Sequence, residues 1–346
     1  MKVMITGAAG FIGGFLAKHC TDAGSQALGI DIVEPQDGWA AGEFELCDVR
    51  NSARLSSLIS KFRPQRIFHL AAQSQPLVSL KRPLETIDTN VGGTVSLFES
   101  LRTTGVMPVV VVACSSAEYG PVAECDSPVQ EDQPLNPLHP YGVSKVAQDL
   151  LAAQYFANYA IPTIRLRIFK TTGPGKLDEV CSDLTKMAVE IERGIRPPSM
   201  PVGNLTNRRS IVDVRDLVQA LWLSVEHCVI GEVYNLGGDD VYSVQEVVEV
   251  IRTQVTATFE VEQRPELMRS CDEPVTAGDN ARFRSRCAWA PQIRLAMTLR
   301  DMLEWWRVRL AGVSRITARR GARTPVWPLK QRHHYNYQRR KSPEQQ

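Results

Sequence analysis

Residues 5–14 read ITGAAGFIGG, and they set Gly7, Gly10 and Gly13 between the apolar run KVMIT and a stretch with helical spacing. Glycines at these places let a strand turn tightly into a helix and bring a pyrophosphate against the N–H groups of the helix N-terminus. The pattern is weak alone, and Asp31 supports it. It closes the next β-rich run, where its carboxylate can accept hydrogen bonds from a ribose. Ile32, Val33 and Glu34 offer no cation for a 2′-phosphate, so the expected cofactor is NAD(H), with NADP(H) as the alternative. Asp48, closing the third run, reads either as a ligand of the adenine amino group or as the cap of the following helix.

Working outward, short runs rich in β-formers (KVMITG, ALGIDI, FELCDV, RIFHLAA, VVVVACS and TIRLRIF) alternate with helix-spaced segments through residue 170. Such alternation predicts an α/β fold: a Rossmann-type, doubly wound parallel sheet covered on both faces. Beyond TTGPGK (171–176) the alternation weakens into a helix near 178–193, a strand near 208–212, a helix over 214–226 and the strand EVYNLGG. The expected division is a dinucleotide-binding domain of residues 1–172 plus about 209–236. A smaller α/β substrate lobe takes about 173–208 plus 237–312. The proline-rich loop 121–140 is long enough to suggest a substrate lid.

The chain has 346 residues, 43% of them hydrophobic, which is ample for one large core and a second lobe. Its net charge of +2 is unevenly spread: residues 313–346 hold nine Lys or Arg against one Glu, leaving the body mildly acidic. That tail lacks apolar periodicity and reads as a solvated, disordered extension, not as a nucleic-acid-binding arm. The eight cysteines never approach a C-x-x-C spacing, so no zinc site is signalled, and reduced thiols in a cytoplasm are expected. No run is long enough to span a membrane.

Two further motifs carry chemistry. CSSAEYG (114–120) ends the fifth β-rich run in hydroxyls, and HPYGVSK (139–145) places Tyr141 and Lys145 four apart at the start of a helix. That spacing puts both side chains on one face. On its own it describes a solvated helix surface; downstream of the glycine-rich turn it describes a phenol whose proton affinity an ammonium and a cationic nicotinamide lower.

With these pieces the chain resembles the extended short-chain dehydrogenase/reductase family of nucleotide-sugar enzymes, through TGAAGFIG, HLAAQS, DTNVGGT, SSAEYG, PYGVSK, GPGK, VGNLTNRRSIVDVRD and EVYNLGG. The resemblance implies Ser115, Tyr141 and Lys145 as catalytic residues. It adds Phe11, Ile12, Val49, Leu70, Ala71, Ala72 and Asn90 to the cofactor groove, Asn90 by holding active-site backbone or a water. Ser116, Lys170, Lys186, Arg209, Arg269 and Asp272 are implied on the nucleotide-sugar side. Within the family, VGNL, Arg209 and DVRDLVQALWL look most like the reductases of GDP-4-keto-6-deoxy-D-mannose, which form GDP-D-rhamnose. Related 4,6-dehydratases carry an acid two places after the catalytic hydroxyl, where this chain has Ala117; Glu118, one step along a strand end, is expected to face the other way. Lys170 stands where the family usually has Asn, and His139 where it often has Ser. A hexose 4-epimerase with retained NAD is the rival reading, with a 4,6-dehydratase or a non-catalytic NAD-binding protein behind it. Relatives also imply a homodimer through a four-helix interface formed by the helices near 84–104 and 143–159.

Overall fold

A computed structural model describes residues 1–36, 38–39, 41–268 and 273–311. The first half contains β1 (Lys2–Thr6), α1 (Phe11–Asp22), β2 (Gln26–Asp31), β3 (Gly42–Leu46), α2 (Ser52–Phe62), β4 (Arg66–His69), α3 (Pro76–Lys81), α4 (Pro83–Ile87), α5 (Gly93–Thr104), β5 (Val109–Ser115), α6 (Pro140–Tyr159) and β6 (Thr163–Ile168). The second contains β7 (Lys170–Thr172), α7 (Val180–Glu192), β8 (Ser199–Val202), β9 (Arg208–Asp213), α8 (Val214–His227), β10 (Val233–Leu236), β11 (Val241–Ser243), α9 (Val244–Arg252), β12 (Glu260–Gln263), β13 (Val275–Thr276), α10 (Ala281–Cys287) and α11 (Leu295–Arg309).

The six β-rich runs become β1 to β6, and with β10 they make a seven-stranded sheet in the order β10-β6-β5-β4-β1-β2-β3, parallel throughout. Strands buried on both faces need apolar side chains pointing both ways. Accordingly Val3 and Ile5 of β1 pack with α1 and α8, while Met4 between them packs with α2 and α5. Each such side chain, fully removed from water, contributes about 1.5–3 kcal/mol. Chain order reverses between β1 and β4, so a crevice opens at the carboxyl ends of these strands, where ligands bind in open α/β sheets.

The smaller sheet corrects one expectation. β9 pairs with β7, β11 and β13, so residues 170–172 and 209–213, which the expected division places with the dinucleotide domain, join the second sheet. Their short apolar content did not reveal which sheet they would join. Helix α8 does return to the first half, packing against α1. The lobe's own core lies between α7, α9 and α11, around Leu184, Val248, Leu299 and Trp306.

The expected lid is also revised. Val129 of the 121–140 loop bridges to Gly278, and Glu131 accepts a hydrogen bond from the Asn235 N–H at 2.8 Å, so its centre is anchored to the body of the protein. The helix near 84–104 is α4 and α5 joined by a π-turn at Asp88–Gly92. Among the described residues no helix is long and apolar enough to cross a membrane. The basic tail lies outside the described residues.

Candidate active site

The glycine-rich turn is shaped by contacts that exclude side chains. Gly7 has φ +72° and a β-carbon there would lie 2.7 Å from the Ala71 nitrogen; one on Gly13 would lie 2.3 Å from the Gly7 carbonyl. Helix α1 then starts at Gly10 with no side-chain cap and no acidic residue in its first turn. Its first N–H groups and the positive end of its dipole are free for an anion. Asp31, at the end of β2, accepts from Ala9 N at 2.9 Å and from Ile32 N at 2.7 Å, which holds its carboxylate at the rim of the turn. Burial raises its proton affinity, and these backbone donors oppose that. Leu70 N–H donates to the Thr6 carbonyl and Ala71 N–H to the Thr6 hydroxyl, lining the crevice with β4 and the segment through Ala72. Val49 packs beneath Gly93. These residues fit a dinucleotide.

Of the two roles expected for Asp48, the cap of α2 falls to another residue. Arg50 pairs with it at 2.6 Å and with Asp88 at 2.6 Å, while Asn51, not Asp48, caps α2 by accepting from Arg54 N. The ion pair holds the Asp48 carboxyl below its ordinary range.

The catalytic candidates come together at the end of β5. Ser115 is the last residue of that strand, and a single 3-10 turn, Ser116–Glu118, follows. Because this is a turn, strand alternation does not set the direction of Glu118. Its carboxylate folds back to accept from Ser115 N at 2.7 Å and pairs with Arg167 at 3.2 Å. Asp149 takes Arg165 at 2.6 Å and Arg167 at 2.8 Å, all within the protein interior. Burial and the Asp149 charge push the Glu118 carboxyl up, well above the usual carboxylate range.

Helix α6 presents Tyr141 and Lys145 because Pro140 sits in its first turn and the His139 ring caps it, accepting from Gly142 N at 3.0 Å. His139 therefore does the capping job of a serine. Lys145 Nζ donates to the Ala113 carbonyl at 2.7 Å and stands 5.8 Å from the Tyr141 ring centroid. Burial pushes the Tyr141 phenol up to about 12, against a hydrogen bond with the Ser115 hydroxyl that favours the phenolate. Burial lowers the Lys145 pKa. Asn90, turned inward by the π-turn, accepts from Gln73 N at 2.7 Å and donates to the Gln73 carbonyl and the Ser144 hydroxyl, so it holds backbone.

Sequence reasoning missed the supports. His69 bridges the Thr6 and Thr94 hydroxyls at 2.8 and 3.0 Å, and burial keeps its ring neutral, with a pKa of about 3. Gln148 joins this network at Thr94. The partners lie 25 to 63 positions apart in sequence, so no local pattern announces them. Asp149 alone had a local signal, one helical turn after Lys145.

On the second-lobe side, Ser116 is half-buried in the turn. Lys170 is paired with Glu179 at 2.9 Å, and Lys186 lies 3.9 Å from Glu190 and over Trp306. Arg209 donates to the Glu273 carbonyl at 2.6 Å. Arg269 and Asp272 lie outside the described residues.

A hydroxyl, a phenol and an ammonium converging beside an uncapped helix N-terminus, at the switch point of a parallel sheet, define an NAD(P)-dependent oxidoreductase of the short-chain dehydrogenase/reductase class. Comparison with known proteins narrows this. The family described as GDP-mannose 4,6 dehydratase matches residues 4–302, and the chain belongs to this extended short-chain family of nucleotide-sugar reductases, epimerases and dehydratases. It is 27% identical to the GDP-6-deoxy-D-mannose reductase of Pseudomonas aeruginosa over 248 residues, covering 71% of this chain and 82% of that protein. It is 30% identical to a UDP-glucose 4-epimerase of Mycolicibacterium smegmatis over 320 residues, covering 89% and 99%. The solved structure of RMD from Pseudomonas aeruginosa complexed with NADPH superposes with a TM-score of 0.80 at 25% identity, covering 89% of this chain and 99% of that one.

Proposed function

We propose that the protein reduces the C4 ketone of GDP-4-keto-6-deoxy-D-mannose to GDP-D-rhamnose, with NAD(H) as the preferred cofactor. The observation that carries this reading is the turn after β5. It offers the Ser115 hydroxyl and the Ala117 methyl, while the one carboxyl in it, on Glu118, is fully buried and committed to Ser115 N and Arg167. Water elimination needs a carboxyl group at the sugar, and ketone reduction does not.

The dinucleotide, held by Gly7, Gly10, Phe11, Ile12, Gly13 and Asp31, supplies the hydride. Ser115 donates a hydrogen bond to the C4 oxygen and polarises the carbonyl. Tyr141, kept protonated by burial, gives its proton to that oxygen as negative charge develops there. Lys145 holds the nicotinamide ribose and places a positive charge near the phenol. Ser116, Lys170, Lys186, Arg209, Arg269 and Asp272 bind the nucleotide sugar.

The second reading, a hexose 4-epimerase, is favoured by the greater identity and coverage of the Mycolicibacterium smegmatis relative. Incubation with GDP-4-keto-6-deoxy-D-mannose separates the two: a reductase consumes NADH stoichiometrically and forms a 6-deoxyhexose. An epimerase interconverts C4-hydroxy nucleotide sugars with no net loss of NADH. GDP-mannose alone gives no keto sugar, and its formation would overturn the reading of Ala117.

We also propose a homodimer. Leu77, Leu80, Leu84, Ile87, Val143 and Leu150 are exposed on α3, α4 and α6, with Leu84 at 85%. An apolar surface of this extent on adjacent helices suits four-helix pairing with a second copy.

A further inference from the structure

The GPGK stretch contains a cation that the reading above does not use. After β7 the chain turns through Gly173, at φ +156°, and Gly175, at φ +89°, conformations that favour glycine. The turn closes with Lys176 N–H on the Gly173 carbonyl. A β-carbon on Gly173 would lie 3.5 Å from the Phe11 ring, so this loop rests on the first residue of α1. Lys176 Nζ stands 5.0 Å from the centroid of that ring. The ammonium therefore lies over the side chain of the residue that opens α1.

The carboxylate nearest in sequence that is buried with it is already saturated. Glu179 receives Lys170 at 2.9 Å, the Thr172 hydroxyl at 2.6 Å, and the Cys181 and Ser182 N–H groups at 3.1 and 2.9 Å. Asp178 is exposed and takes the Gln75 side chain at 3.2 Å. Among the described residues no carboxylate lies within ion-pair distance of Lys176 Nζ. Burial and the neighbouring Lys170 charge lower its proton affinity, and the Glu179 and Asp178 charges only partly oppose them. A half-buried ammonium with no carboxylate in ion-pair contact among the described residues, in a loop resting on the first residue of an uncapped helix, favours an incoming anion.

We propose that Lys176 is a diphosphate ligand: it reaches from the second half of the chain over the first turn of α1 and binds the diphosphate of the dinucleotide. The inference rests on the reading of residues 7–13 as the cofactor turn. It makes Lys176 a clasp between the two halves of the crevice that engages when the cofactor enters.

The test is a fluorescence titration of the full-length protein with NADH, comparing wild type, Lys176→Met and Lys176→Arg, with adenosine as a phosphate-free probe. A charge-assisted contact to phosphate corresponds to roughly tenfold or more in affinity. The expected result is an NADH dissociation constant raised about that much in Lys176→Met, largely restored in Lys176→Arg, with adenosine binding unchanged. Equal NADH affinity in Lys176→Met overturns the proposal, as does a parallel loss of adenosine binding. A second titration of the NADH-loaded proteins with GDP identifies the other source of the same chemistry: weakened GDP binding with unchanged NADH binding assigns Lys176 to the substrate and overturns the cofactor assignment. Failure of wild type to bind NADH at all would instead remove the cofactor reading on which the proposal rests.

Discussion

Replacing Tyr141 by Phe removes the phenol and leaves the ring. Glycines 7, 10 and 13 and Asp31 are untouched, so NADH binding should stay close to wild type. Turnover in ketone reduction should fall about 100-fold or more, the low end of what a positioned general acid contributes, which is ~2.7 kcal/mol or more of barrier. The pH dependence follows from the environment of the phenol. With burial pushing it up to about 12, only about one phenol in ten thousand is ionised at pH 8. NADH carries no charge on its nicotinamide ring, so the reduced cofactor does not reverse this. Reduction needs the protonated form, and its kcat/KM should stay flat through this group from pH 6 to 9. A reaction needing the phenolate would instead rise about tenfold per pH unit. Steady-state kinetics on GDP-4-keto-6-deoxy-D-mannose with NADH, followed at the NADH absorbance, measures both effects. A Phe variant with half the wild-type turnover, or a tenfold rise per unit across that range in wild type alone, would refute the assignment of Tyr141 as the proton donor.

Asp149→Asn leaves Arg165 and Arg167 without their shared buried counter-ion, and should cost about 3–5 kcal/mol of stability, read from the shift of the urea midpoint. The raised Glu118 carboxyl binds its proton more tightly folded than unfolded. Its contribution to stability is present below its ordinary pKa near 4.5 and is lost as pH rises through the elevated folded value; denaturation of Glu118→Gln across pH 5 to 8 should show a shallower decline than wild type. If Asp31 binds the ribose as proposed, with no cation beside it in sequence, NADH should bind at least several-fold tighter than NADPH, and equal affinities in a titration would contradict that role. Leu84→Glu combined with Leu150→Glu should convert the proposed dimer to monomer in sedimentation; an unchanged sedimentation coefficient would place any interface elsewhere.

The sequence by itself determined the parts whose chemistry is local. Glycines at 7, 10 and 13 serve one tight turn, six β-rich runs have the length and composition of strands, and Tyr141 and Lys145 share a face because a helix has 3.6 residues per turn. Each needs only neighbours a few positions away. What lay beyond the sequence depends on contacts between distant segments. Strand β9 joins β7, β11 and β13 because of where the chain returns, which no short window encodes. Glu118 turns inward because Arg167, on β6, awaits it. Asp48 is engaged by Arg50, which Asp88 also holds from the helix turn above. Lys176 reads as one more charged residue after a glycine turn until the tertiary structure lays that turn on Phe11 and gives Glu179 to Lys170. Backbone shape follows short-range sterics and hydrogen bonding, so the sequence displays it. The partner of a buried charge is chosen by whichever elements pack together, and only the folded chain decides that.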